Sequence, residues 1–561
     1  MNRKLQLMVG AALAASSFAA AANATVTTDY GGGSSLIAPY LRQAGDCYGV
    51  PVPPVTTGGT LWIKGGNPVN EPFFNFTGTP AQNCATTHTS TTRQLDYIST
   101  GSGAGIAGIY SNDPIKYFGD IDPTTAGNQY FPSVQYGASD AGLAASDVTI
   151  YNSGGTEGSG GNAVTVVAPG GTPTAGQYSN PHEKYGALVQ FPLLVTPVDF
   201  AYDPVYKKVK ASGTVTEYKL NVQAARADGS GGLKLDKTAY CKIFNGQITN
   251  WNDPALTALN GGVSLKDPAD PGAFSVPLQI VGRGDSSGTT SIFTRHLGAV
   301  CTSVSGNQFL DGATTLPAGT QGGTYDKTTA NYPAPGSEVL GKFTLTTGSD
   351  GVAKYVDFTA VPASDGDTII QGRLGYIGPD YALPASAALG TNAFGLNTAT
   401  LKNAKNVFQA PTTKTVTASF GSVLPPQSDS KGNYVAGNPG NRADPSQWAA
   451  SVHSTETLAN PQVSGGYPVV GTTNFLGSQC YSTSAKSGVI TGLFSWYLTS
   501  KTIIDPTKGL LPTAGFAPMP AAWKNAIKGT FLANTSGLGL NMSNKGNAAS
   551  AACMVAGVVG R

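Results

Sequence analysis

The chain has 561 residues, and only 12% of them are charged, roughly half the usual share. Without Arg3 and Lys4 the 34 basic residues fall to 32, equal to the 32 acidic ones. A neutral balance argues against a nucleic-acid or anionic-membrane binder, which would need a basic face. Gly (73 residues) and Pro (37) are abundant, which predicts a loop-rich chain, and the length suits two or three domains.

The opening stretch, "MNRKLQLMVGAALAASSFAAAANA", has a charged start, an apolar run from Leu5 to Ala22 and an A-x-A pattern at Ala22-Asn23-Ala24. That layout reads as a cleavable secretory signal peptide over residues 1–24. No cysteine stands at the cleavage point, so no lipid anchor is expected, and no later apolar run approaches the roughly 18 residues of a membrane helix. The expected location is periplasmic or secreted.

Three short turns follow, each rich in small residues. "DYGGGSSLIAPYL" (29–41) and "STGSGAGIAGI" (99–109) are Gly-Ser turns leading into apolar runs that read as helices. "QYGASDAGL" (135–143) is apolar up to Ala138 and then presents Ser139 and Asp140. The tract 152–176 is Gly/Ser/Thr/Pro-rich and reads as a long surface loop, as does 425–447. Between them, "ALVQFPLLVTPVDFAY" (187–202) reads as one or two buried strands, and 237–251 as an amphipathic helix ending in a turn at Asn245-Gly246. "SVPLQIVGR" (275–283) is a further strand, while 487–500 and 521–533 read as helices. Strands alternating with helices predict α/β layers on a largely parallel sheet. No internal repeat is present.

Six cysteines allow 15 connectivities, and their spread favours neighbours: Cys47 with Cys84, Cys241 with Cys301, and Cys480 with Cys553. Export makes disulfides the default. A zinc site fits poorly, because no C-x-x-C occurs and the four histidines, at 88, 182, 296 and 453, are scattered.

"GRGDSSGTT" (282–290) carries the most chemistry. It joins a strand to the apolar run "SIFTRHLGAV", so its free N–H groups and the positive end of the helix dipole suit an anion. The hydroxyls of Ser287 and Thr289 add donors, and Arg283 adds a planar, permanently charged fork. No Lys follows the glycine as in a Walker A loop, so no nucleotide with Mg²⁺ is implied. An ordinary turn with helix-capping Ser and Thr is the competing reading.

At these residues the sequence resembles the PstS-like periplasmic phosphate-binding proteins of ABC transport, most closely their DING branch. "GGGSSL" matches the family's opening "GGGAT-L" element, "TGSGAG" its "GSG/GSS" turn, and "GASD" its "GSD/ASD" element. "RGDSSGTTSIFTRHL" matches its "R-x-D/E-x-SGTT-x-x-FTR-x-L" signature, and 241–253, 372–382, 466–481 and 515–532 are similar too. The resemblance implies an α/β, two-lobed periplasmic-binding-protein (type II) fold, with a ligand cleft between the lobes and long loop insertions. Lobe I would combine 25–196 with 467–561 and lobe II would hold 197–466, with crossings near Val195 and Pro468. Phosphate would be held by Ser35, the backbone of Leu36, Ser102, Asp140, Arg283, Ser287, Gly288 and Thr289. The cysteine positions of the DING pattern support the 241–301 and 480–553 pairs, whereas 47–84 rests on proximity. Insertions around 50–95, 110–130, 150–180 and 395–460 would cover the cleft or form another surface.

The expected role is capture of inorganic phosphate by a monomer that needs no metal or cofactor, for delivery to an ABC permease or for scavenging. The alternative is a secreted DING-like phosphatase acting on phosphomonoesters. A two-metal phosphatase needs clustered His and Asp ligands, which this sequence lacks; a metal-free one would use Ser287 beside Asp140 or Asp285.

Overall fold

The computed structural model describes residues 25–50, 60–63, 67–68, 84, 88–118, 128–129, 131–209, 212–224, 230–244, 247–271, 276, 278–301, 343–357, 369–383, 395–452 and 457–561. The signal-peptide reading over 1–24 and the turn at 245–246 lie outside these residues.

The chain forms two mixed sheets in a two-lobed α/β fold. The elements that build them are β1 (Thr27–Gly33), α1 (Ala38–Tyr48), β2 (Arg93–Ser99), α2 (Ser102–Ser111), β3 (Tyr136–Ser139), β4 (Leu188–Pro197) and β5 (Asp199–Tyr202). They continue with β6 (Gln279–Arg283), α3 (Gly288–Val300), β7 (Phe343–Thr346), α4 (Gly348–Val356), β8 (Arg373–Ile377) and β9 (Asn397–Thr398). The last are β10 (Val470–Ser478), α5 (Ser484–Tyr497) and β11 (Ala517–Pro518).

The first sheet has the order β11-β4-β10-β3-β1-β2. Only β1 with β2 and β1 with β3 are parallel there; β3, β4 and β11 pair antiparallel around β10 and β4. The second sheet runs β7-β6-β8-β5-β9, parallel across β7-β6-β8 and antiparallel through β5. The expected largely parallel sheet is thus corrected. The antiparallel pairs come from long returns such as β10 against β4, and strand polarity leaves no mark in local hydrophobic pattern.

Every residue of β4, "LVQFPLLVTP", is buried, as a central strand covered on both faces requires. Its register against β10 shifts between Pro192 and Leu194, where proline has no N–H for the ladder. The stretch 187–202 is two strands, and they belong to different sheets. The chain passes from one sheet to the other at Val198, whose N–H donates to Val469 O at 2.9 Å. Tyr467 donates its hydroxyl to Val198 O at 3.2 Å, so the outgoing and returning strands run side by side.

Beside the first sheet the core gathers Phe191, Phe475, Phe494 and Phe531, with ring centroids 4.7–5.2 Å apart. Beside the second sheet, in the same continuous core, Phe293 of α3 stacks on Tyr376 of β8 at 4.2 Å. The chain carries the Cys47–Cys84, Cys241–Cys301 and Cys480–Cys553 disulfides.

Helices over Lys237–Phe244, Ser484–Tyr497 and Ala521–Ile527 occupy the segments that read as helical. The loop expected over 152–176 differs: Gly155–Glu157, Val164–Val166 and Gln177–Tyr178 form a small sheet. Val164 and Val166, an i, i+2 pair on one face of a strand, are buried in a cluster with Ile109 and Tyr110. The other expected surface loop, 425–447, contains little regular structure but buries Arg442 and leads into a helix, Pro445–Ala450, with Trp448 in the core.

Candidate functional site

The turns singled out in the sequence leave the ends of parallel strands and face one another across the two sheets. β6 ends at Arg283, and α3 opens at Gly288 with Ser287 as its N-cap, the Ser287 hydroxyl accepting from Thr290 N–H at 3.1 Å. Helix geometry leaves the first-turn N–H groups of Gly288 and Thr289 without intrahelical acceptors. A β-carbon at Gly288 would collide with the Ser102 hydroxyl and lie 2.8 Å from the Asp140 β-carbon, so only glycine lets this turn approach the first sheet.

Arg283 is buried and held on one edge. Its Nε and Nη2 donate to the two carboxylate oxygens of Asp285 at 2.6 and 2.5 Å, a bidentate pair. Burial pushes the Asp285 carboxyl up, but the Arg283 charge and its bonds outweigh this and hold it below the usual carboxylate value. Nη1 remains, 3.4 Å from Ser349 Oγ and 3.5 Å from Thr289 Oγ1. Both distances exceed the ~2.9 Å of a good N–H···O bond, so this donor is engaged only weakly. The Arg283 N–H donates to Tyr376 Oη at 3.1 Å, and that hydroxyl also bonds Thr290 Oγ1 at 2.8 Å, which ties the stacked Phe293–Tyr376 core to the site.

Asp140 is the acidic member. Its Oδ1 accepts from Ser34 Oγ at 2.6 Å and Thr473 Oγ1 at 2.7 Å, and its Oδ2 from Thr289 Oγ1 at 3.4 Å. Burial raises its pKa, opposed by those hydroxyls and by the Arg283 charge. Asp140 is no helix cap, since the next helix starts at Ala145 and is closed by Asp147. The Asp140 N–H donates to Ser102 Oγ at 3.1 Å.

Ser35 accepts the Ser349 N–H at 3.1 Å, while the Leu36 N–H turns back to Ser34 Oγ at 3.2 Å. Ser35, Ser102, Asp140, Arg283, Ser287, Gly288 and Thr289 are therefore buried around one place, with Leu36 beside it. Sequence reasoning missed Ser34, Ser349, Tyr376 and Thr473. Ser34 and Thr473 lie inside quoted motifs, and "TGSD" (347–350) is one more Gly-Ser helix start; nothing in the sequence marks Tyr376. The arrangement is a buried cage of hydroxyl, N–H and guanidinium donors with one carboxylate acceptor, suited to a tetrahedral oxyanion that carries a proton. Among the described residues no group of three or more His, Cys, Asp or Glu is placed to hold a metal ion. No helix among them is long and apolar enough to cross a membrane.

Comparison with known proteins agrees with this geometry. Residues 195–426 match the family model of the PBP superfamily domain. A phosphate-binding protein from an unknown prokaryotic organism is 27% identical over 326 residues, 57% of this chain and 72% of that protein. Alkaline phosphatase L of Pseudomonas aeruginosa PAO1 is 28% identical over 442 residues, 79% of this chain and 83% of that protein. A high-affinity periplasmic DING phosphate-binding protein, solved with phosphate bound at pH 8.5, shares the fold with a TM-score of 0.53 at 21% identity, covering 95% of this chain and 99% of the other. A phosphate-binding protein from Stenotrophomonas maltophilia does so with a TM-score of 0.52 at 21% identity, over 96% and 100%. The chain is thus similar over more than half of its length to a phosphate-binding protein and to alkaline phosphatase L, and its segment 195–426 matches the PBP superfamily domain.

Proposed function

We propose that this protein captures inorganic phosphate in the cleft between its two sheets, through Ser35, Leu36 N–H, Ser102, Asp140, Arg283, Ser287, Gly288 and Thr289, and hands it to an ABC permease or retains it. The observation that carries this reading is the buried Asp140 carboxylate set among donors, with the Arg283 Nη1 held only by long contacts to Ser349 and Thr289 that a stronger acceptor would displace. A fully deprotonated anion meets repulsion at Asp140, whereas a protonated phosphate donates to it. The lobes divide at Val198, with 25–196 and 467–561 around the first sheet; of 197–466, the helices Thr413–Phe420 and Pro445–Ala450 pack on that first sheet too, through Phe420 and Trp448, and the residues before them surround the second. Residues 1–24 act as the signal for export.

The similarity to alkaline phosphatase L supports a second reading, hydrolysis of phosphomonoesters at the same place. Against it, the Ser287 hydroxyl caps α3, Asp285 is engaged by Arg283, and Asp140 by three hydroxyls. Among the described residues no base is bonded to the hydroxyl that would have to attack. Calorimetric titration of ligand-stripped protein with phosphate, sulfate and a phosphomonoester tests both: tight phosphate binding without ester turnover is expected, and steady ester turnover abolished by Ser287→Ala would favour the enzyme.

A further inference from the structure

We infer that Ser349 is a further positioning residue of the site, coupling closure of the cleft to the presentation of Ser35 and to the surroundings of the Arg283 Nη1 donor. This rests on the reading above that the cleft takes phosphate. Ser349 stands in the first turn of α4, beside the second sheet, and is fully buried. Its N–H donates across the cleft to Ser35 Oγ at 3.1 Å, and the two hydroxyls lie 3.4 Å apart. Its own hydroxyl lies within reach of Arg283 Nη1 at 3.4 Å. Ser349 therefore touches one group from each side of the cleft.

Each contact has a consequence. A serine oxygen that accepts an N–H keeps its O–H to donate, so Ser349 presents Ser35 as a donor toward the ligand. Nε and Nη2 of Arg283 are committed to Asp285, which fixes the guanidinium plane and leaves Nη1 as the donor facing the cleft. Ser349 and Thr289 are the two hydroxyls beside it. The start of α4 is also tied to the same pair, because Gly348 N–H donates to Asp285 Oδ1 at 3.2 Å. Gly348 has φ of +75°, a conformation that favours glycine, and a β-carbon there would collide with the Asp350 carboxylate. Opening the cleft separates Ser349 from Ser35 and withdraws that donor, so the complete donor set exists only when the sheets are closed on each other.

The experiment compares Ser349→Ala, which keeps the backbone N–H and loses the hydroxyl, with Ser349→Thr, which keeps both. Phosphate affinity, the melting temperature of ligand-free protein and amide exchange over 346–352 are measured. Ser349→Ala is expected to bind phosphate about ten-fold more weakly, the lower end for a hydrogen bond to a charged group, with an unchanged ligand-free melting temperature and recovery in Ser349→Thr. Ser349→Ala binding as tightly as wild type overturns the inference, as does equal weakening of both variants with a fallen melting temperature. If wild-type protein takes no phosphate, the anion reading fails and exchange decides: Ser35→Ala should speed exchange over 346–352 in ligand-free protein, and unchanged exchange overturns the bridge.

Discussion

Arg283 and Asp285 lie two residues apart on one loop and form two parallel bonds of 2.6 and 2.5 Å, which fix the guanidinium plane before any ligand arrives. Lysine at 283 keeps the charge and loses the fork. Arg283→Lys should weaken phosphate binding by about 1–3 kcal/mol, read by calorimetry; wild-type affinity in that variant removes Arg283 from the site.

The same pair sets a pH limit. Asp285 titrates below its ordinary value near 3.8. Its ionised form contributes stability that is present above the unfolded value and is lost as pH falls through the folded one. Thermal melting followed down to low pH should show an acid-side decline that is smaller in Asp285→Asn, whose amide does not titrate. An identical decline in both proteins would assign it elsewhere.

Asp140 should govern selectivity. Oδ1 is occupied by Ser34 and Thr473, while among the described residues Oδ2 has only the 3.4 Å contact to Thr289, so Oδ2 is the oxygen open to the O–H of phosphate. Asp140→Asn replaces an acceptor with a group that can also donate. Phosphate binding should weaken modestly, and sulfate should gain on phosphate by on the order of ten-fold or more. Competition titration measures this; sulfate excluded as strictly as in wild type places the selectivity at another residue.

His296 is buried between Tyr240 Oη at 2.9 Å and the Ala459 carbonyl at 2.8 Å, and burial pulls its pKa down to about 4. A folded value below the unfolded one near 6.5 means stability is full above 6.5 and is lost as pH falls toward 4. The loss is on the order of 3 kcal/mol. Denaturant unfolding between pH 7 and 4 should show this slope, and His296→Gln should flatten it.

Arg442 organises the irregular 425–447 segment. Its guanidinium donates to Pro426 O at 3.0 Å, Gln427 O at 3.2 Å, Gly432 O at 3.3 Å and the Ser428 hydroxyl. Arg442→Ala removes the one side chain that ties these oxygens together, with Pro426 O and Gln427 O keeping Ser428 and Val435 as donors, and should cost roughly 1–3 kcal/mol locally. Limited proteolysis should then cut within 425–442 well before the rest of the chain; a digestion pattern like wild type would mean the loop is held by other contacts.

The sequence alone determined the features that depend on a few neighbouring residues. Gly-Ser turns at strand ends and the helix start at "SSGTT" are local, because backbone freedom and helix capping are decided within the segment that contains them. Only the tertiary structure decided which turns share one place. Ser35 and Ser349 are 314 residues apart, and Thr473 reaches Asp140 from 333 residues away. Strand polarity in the two sheets belongs with these, as does the small sheet over 155–178, whose valines bury only because α2 lies against them. Such meetings depend on long loops closing, and side chains that bond across them carry no periodic signal in either partner.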